Sequence, residues 1–181
     1  MKTYLAYGAG TTVACAVLTL VLHILGYLND PEKLGTGMMI SIPTVILIVI
    51  VGLVLGTKKA REPYGNKGFT YGQAWLAGFY IIAFAALTGA VFNFVYYQFI
   101  NTNINEVTAE WTRSFMERMK VPDEQIEKQM AAVRAGSTVA KRVINGFFGT
   151  VVMGMVFSLI TAAIMKRAPV EDLSETPPRM A

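Results

Sequence analysis

Charge is scarce in this chain, and where it is missing matters more than how much. Charged residues make up 15% of the 181, against about 25% in an ordinary soluble domain. Four long stretches contain no Asp, Glu, Lys or Arg, and the charges crowd between them. Cysteine and histidine are nearly absent. Cys15 is the only cysteine, which excludes an intrachain disulfide and a cysteine metal site. With His23 the only histidine, a metal would need carboxylates from the loops, and no ligand spacing appears. No metal or cofactor is expected.

Catalytic signatures are missing as well. The chain has no Gly-x-Ser-x-Gly, no His-Glu-x-x-His and no phosphate loop. Its apolar stretches hold no carboxylate of the kind that proton- or sodium-coupled transport uses near the bilayer midplane. These absences point away from an enzyme. The net charge of +4 and pI near 9.2 come without a basic patch interleaved with aromatics. A nucleic-acid partner is therefore not expected, and basic residues flanking membrane spans account for the excess.

What is present is hydrophobic sequence, 54% of the chain. The pattern predicts an all-α, polytopic membrane protein. Its single membrane domain, residues 1–167, is a four-transmembrane-helix bundle with spans at about 4–28, 38–55, 74–100 and 143–165. Thr12-Val13-Ala14-Cys15 has the outline of a lipoprotein cleavage site, but apolar sequence continues to Leu25 and favours an uncleaved anchor. Asp30-Pro31 suits a helix start, with Gly35 and Gly37 loosening the entry to span two and Pro43 in its first turn or two. The tail, 168–181, carries Pro169, Pro177 and Pro178 with three acids and is expected to be disordered.

Between spans three and four, at about 105–135, the pattern predicts an amphipathic helical hairpin. Val107, Trp111, Phe115 and Met119 recur every four residues. Pro122 interrupts, and Ile126, Met130 and Val133 repeat the stripe. Trp111, Phe115 and Met119 are the candidate face for a partner or the membrane surface. The alternative is that they pack on the bundle.

Orientation follows from the short loops. Lys58, Lys59, Arg61 and Lys67 lie in the polar link between spans two and three, whereas the first link has only Lys33. The positive-inside bias then puts that topology loop and both termini in the cytoplasm, although Lys141-Arg142 argues mildly against it. The expected location is the inner, cytoplasmic membrane.

Small residues mark the helix contacts. Gly146, Thr150, Gly154, Ser158 and Ala162 form a ridge every four residues. Gly52 with Gly56, and Gly8 with Thr12 and Ala16, give shorter ones. Intrachain packing is the favoured use of these ridges, with a homo-oligomer as the alternative. His23, Asn93 and Asn145 are expected to hydrogen-bond between helices.

Gly68-Phe69-Thr70-Tyr71-Gly72-Gln73-Ala74-Trp75, followed by Gly78, resembles the signature opening span three in a family of small bacterial membrane proteins. That family is catalogued as domain of unknown function 4199. Phe92-Asn93-Phe94-Val95-Tyr96-Tyr97-Gln98-Phe99-Ile100, Asp123-Glu124-Gln125-Ile126-Glu127 and Phe157-Ser158-Leu159-Ile160-Thr161-Ala162-Ala163-Ile164 are similar to it as well. Members often have a proline soon after span three. Asn101-Thr102-Asn103 stands here instead and would let that helix run on past the membrane. The resemblance implies a four-span protein and supplies no catalytic or binding residues.

The expected function is a non-enzymatic accessory or scaffold protein in the lipid bilayer, with a membrane-protein partner or second copy. The alternative is a small transporter or channel component for an uncharged or lipid-like solute.

Overall fold

The computed structural model describes residues 1–136 and 138–168. Among the described residues four helices are long and apolar enough to cross a membrane: α1 (Lys2–Ile24), α2 (Pro31–Arg61), α3 (Tyr71–Val95) and α6 (Val139–Met165). Two short helices, α4 (Ile104–Arg118) and α5 (Asp123–Gly136), fill the link between α3 and α6. The chain is a multi-pass, all-α membrane protein. The expectation for the tail falls, from residue 169 on, outside the described residues.

Several boundaries depart from those predicted, each for a local reason. α1 stops at Ile24 because Gly26 takes φ +82°. The Gly26 and Tyr27 amides then turn back to the carbonyls of His23 and Leu22, both at 2.9 Å, the paired bonds of a Schellman cap. α2 begins at Pro31, not near Met38. Asp30 caps it by accepting the Glu32 amide at 2.9 Å, and Pro31 fills the first position. That amide, with Lys33 beside it, holds the Asp30 carboxyl below its ordinary value. The cap's contribution is therefore present above the ordinary aspartate range and lost as pH falls through the lowered value.

Gly35 and Gly37 thus lie inside α2, and they are contact points, not a loose entry. A Cβ on Gly37 would sit 2.6 Å from the Tyr27 carbonyl. Pro43 lies deep in the same helix instead of its first turns. On either side of it, the Ser41 and Thr44 hydroxyls donate to the carbonyls of Met38 and Ile40, at 3.3 and 2.7 Å. These bonds flank the Met39 carbonyl, which the proline deprives of its helical amide. At about 1.5 Å per residue α2 is roughly 46 Å long. That exceeds the hydrocarbon core of about 30 Å, so its ends stand out of the membrane. α6 starts at Val139, capped by Thr138, so Lys141 and Arg142 belong to its first turns and do not precede it.

α3 is the axis of the bundle. It packs most extensively on α6 and α1 and also touches α2. Its inner face is small: Ala74, Ala77, Gly78, Ala85 and Ala86 are buried. Lipid tails are as apolar as leucine, so helices associate through close packing and hydrogen bonds. A Cβ on Gly8 of α1 would lie 2.6 Å from the Ile81 carbonyl of α3. One turn on, the Thr12 hydroxyl donates to the Ala85 carbonyl at 2.9 Å and lies 2.8 Å from that of Thr88. On the other flank Ser158 of α6 is wholly buried against Gly78 and donates to the Trp75 carbonyl at 3.0 Å. Ile81 and Ile82 share the buried face of α3, while other bulky side chains point outward. Val91 is 67% exposed, Leu47 61% and Phe148 60%, a surface suited to lipid.

At the hairpin end a buried polar knot joins α1 to α3. Tyr96 and Asn101 are each 2% exposed. The Asn101 amide donates to the Tyr96 hydroxyl and to the Leu28 carbonyl, both at 3.2 Å. The Tyr96 hydroxyl in turn lies 3.2 Å from Nδ1 of His23. Asn101 also ends the span. Its own amide bonds the Tyr96 carbonyl at 2.8 Å, closing a wide π turn over Tyr96–Ile100. The helix therefore does not run on past Ile100. The Asn101 side chain is clipped to the α1 turn instead.

Two outcomes follow. Gly154→Leu should abolish accumulation in membranes, because a Cβ there would lie within 2.8 Å of Ile82 Cγ1 and Cδ1. Gly149→Leu, which meets nothing within 4 Å, should accumulate normally; immunoblots of membrane fractions compare them. Asn101→Ala should destabilise the purified protein by about 1–2 kcal/mol, and Tyr96→Phe by less. Denaturant titration in detergent followed by circular dichroism measures both.

Candidate functional site

Helix α4 divides the predicted hairpin stripe between two uses. Ile104 and Val107 are buried. Trp111 is half-buried, and its indole nitrogen would be 3.0 Å from a Cβ on Gly35 of α2. Phe115 stacks on Trp111 with ring centres 5.4 Å apart but remains half exposed, and Met119 is exposed. α4 closes with the amides of Lys120 and Val121 bonded to the carbonyls of Glu117 and Met116. This is a Schellman turn with Lys120 at φ +56°. On α5, Ile126 and Met130 are buried. Arg113 pairs with Glu117 on its own helix at 3.0 Å and bridges to α5 through Glu127 at 3.5 Å. The Glu117 bond first, and then the charge of Glu127, raises the Arg113 pKa above its ordinary value. Arg142 fastens the hairpin to α6, donating to Asn105 at 2.8 Å with its guanidinium 5.4 Å from the Tyr97 ring centre.

Between α4 and α2 lies a groove of about 750 Å³. Trp111 and Phe115 form one wall, and Gly35, Met39, Ile42 and Pro43 the other. Glu32 and Arg118 stand at its polar rim. Two further apolar grooves also run along α2, one of about 500 Å³ against α1 and one of about 370 Å³ against α6. Ile42 lines both the hairpin groove and the α6 groove. From Met38 to Gly52 no residue of α2 is fully buried.

The opposite end is basic. After α2 the chain makes a 3₁₀ segment, Glu62–Lys67, and turns at Gly68, φ +82°. Phe69 is driven inward to 1% exposure, among Ala60, Ala74, Ala77 and Ala162, with Tyr4, Tyr64 and Trp75 around them. Its amide and carbonyl pair with those of Arg167 at 2.8 Å each, pinning the chain beyond α6 to the α2–α3 link. Thr70 and Gln73 then form a capping box, side chains and amides reciprocally bonded at 3.3 and 2.9 Å. Lys58, Arg61 and Arg167 surround a recess of about 210 Å³. Arg61 also donates to the Met165 carbonyl at 3.4 Å. Glu62, the carboxylate in the recess lining, is engaged by Lys59 at 2.6 Å.

The predicted packing residues divide similarly. Gly154, Ser158 and Ala162 are buried, whereas Gly146 and Thr150 are exposed, so the α6 ridge packs over its later half. Gly52 meets Thr11 of α1, whereas a Cβ on Gly56 would lie 2.6 Å from Ile81 Cδ1 of α3 and 3.0 Å from Tyr7 Cβ of α1, so Gly56 sits where the three helices meet. Lys58, Lys59 and Arg61 belong to the last turns of α2, leaving Lys67 in the link itself. Asn145 is exposed, and among the described residues neither it nor Asn93 makes the expected interhelical hydrogen bond; Asn93 only approaches Gly146, 4.0 Å from where its Cβ would be. Sequence reasoning missed the Tyr96–Asn101 knot, the place of Arg167 and the capping box. Only the box had a signal, Thr70 followed three residues later by Gln73.

Capping and packing thus account for Gly68, Phe69, Thr70, Gln73 and Ala74, the core of the motif that opens α3. No curated protein and no solved structure matches the chain. A family model described as a protein of unknown function (DUF4199) matches residues 6–167, and the chain belongs to that family.

Proposed function

We propose that this is a non-enzymatic accessory or scaffold protein of the bacterial cytoplasmic membrane, with both termini inside. On this reading the groove between α2 and α4 receives an apolar helix of a partner membrane protein. The observation that carries it is the stacked Trp111–Phe115 pair, which packs at Gly35 and lines a groove of about 750 Å³ with Met39, Ile42 and Pro43. Aromatic anchors beside a pocket are where binding energy concentrates. The groove continues along α2 through Ile42, and α2 is the least covered span. A helix lying there would complete its packing. Thr12, Ser158, His23 and Tyr96 support a non-catalytic reading, since they are engaged with neighbouring helices, whereas the buried Thr57 hydroxyl and Trp75 indole nitrogen have no such partner among the described residues. A transporter or channel component has less support, because the three grooves along α2 are predominantly apolar and open outward.

Photocrosslinkers placed at Met39 and Phe115 in native membranes should yield one discrete protein adduct. The same probe at Val91, exposed on α3 away from these grooves, should not. Trp111→Ala should weaken the complex by about 2 kcal/mol, roughly thirtyfold. Lipid adducts alone, or an adduct indifferent to Trp111→Ala, would count decisively against the proposal.

A further inference from the structure

The recess at the basic end has a composition that topology alone does not require. We propose that it is an anion site for the phosphate of a negatively charged lipid headgroup. Its cations come from two separated parts of the chain, Lys58 and Arg61 from the end of α2 and Arg167 from beyond α6. Sequence proximity accounts for Lys58 and Arg61 but does not bring Arg167 to them. The Phe69–Arg167 backbone pair and the bond from Arg61 to the Met165 carbonyl hold two of them in place. Lys59 engages Glu62, so the carboxylate in the lining is already matched. Lys58 and Arg167 have no carboxylate partner among the described residues.

Size and level narrow the occupant. About 210 Å³ is below the roughly 300 Å³ at which drug-sized ligand pockets begin, yet it admits a headgroup phosphate. Gly65 narrows nothing, since a Cβ there would meet no atom within 4 Å. Phe69, which lines the recess, sits in the same cluster as Tyr4, Tyr64 and Trp75. Tyrosine and tryptophan gather at headgroup depth, and basic pockets between spans at that depth suit anionic headgroups. A free phosphate shares the chemistry, but the depth favours the lipid.

Native mass spectrometry of the full chain in non-ionic detergent tests this. Phosphatidylglycerol, phosphatidylcholine and inorganic phosphate are added separately. Phosphatidylglycerol should be retained at least about fivefold better than phosphatidylcholine. Lys58→Gln and Arg167→Gln should each weaken retention about fivefold, the worth of one cation near an anionic surface. Lys128→Gln, on exposed α5, should change nothing. Arg61 is left intact because it also bonds α6, and circular dichroism verifies that the variants fold. Equal retention of the two lipids, or phosphatidylglycerol retention unmoved by Lys58→Gln and Arg167→Gln, overturns the proposal. Binding of inorganic phosphate without phosphatidylglycerol overturns the lipid assignment and identifies a soluble anion as the occupant.

Discussion

Inside a bilayer the sides of two helices gain nothing by leaving lipid, so contact depends on how near their backbones can come. Helix α3 meets that condition along most of its length, with Ala74, Ala77, Gly78, Ala85 and Ala86 buried. Gly8 and Thr12 of α1 close on one side of it, Gly154 and Ser158 of α6 on the other. The same condition explains where packing fails. The interior glycines of α2 lie toward its two ends, Gly35 and Gly37 near one, Gly52 and Gly56 near the other. Between them run Met, Ile, Val and Leu with only Ser41, Pro43 and Thr44 among them. The ends of α2 are accordingly buried, at Leu34 and Gly37 and again at Leu53, Gly56, Thr57 and Ala60. The bulky middle stands off from its neighbours and leaves grooves.

Much of this architecture was legible because lipid exposure writes itself into sequence as long uncharged runs. The four spans, the hairpin and the break at Pro122 all came from composition and period. Helix ends were harder to read. Gly35 and Gly37 suggest a loose entry by propensity, yet Trp111 and Tyr27 pack onto them and the helix continues through. Tertiary contact overrode a weak local preference. The ridge on α6 illustrates a further limit. A four-residue period identifies a face of a helix but not the length over which a partner lies against it, and Gly146 and Thr150 extend beyond that length.

The candidate sites were less legible than the fold, since each joins residues far apart in the chain. Trp111 was singled out by its stripe, but its partner surface on α2 was not. Arg167 reads locally as half of a basic stop after a span. Only the pairing of its backbone with Phe69 brings it to Lys58 and Arg61. Asn101 reads as a polar residue after a span and is in fact buried, bonded to both Tyr96 and Leu28.

The α2–α3 link shows how a motif and a charge cluster can overlap without sharing a cause. Gly68 turns the chain, Phe69 fills the cluster, and Thr70 with Gln73 caps α3. None of these roles needs a positive charge. The topology rule does need cations, but only on one side of the membrane, and it is indifferent to their mutual placement. Lys67 meets it from the exposed 3₁₀ segment as well as any other residue could. Arg61 and Arg167 are different, since backbone contacts across helices hold them at one recess. Like charges gathered at one recess repel one another, and the topology rule does not reward that arrangement. An anion between them would.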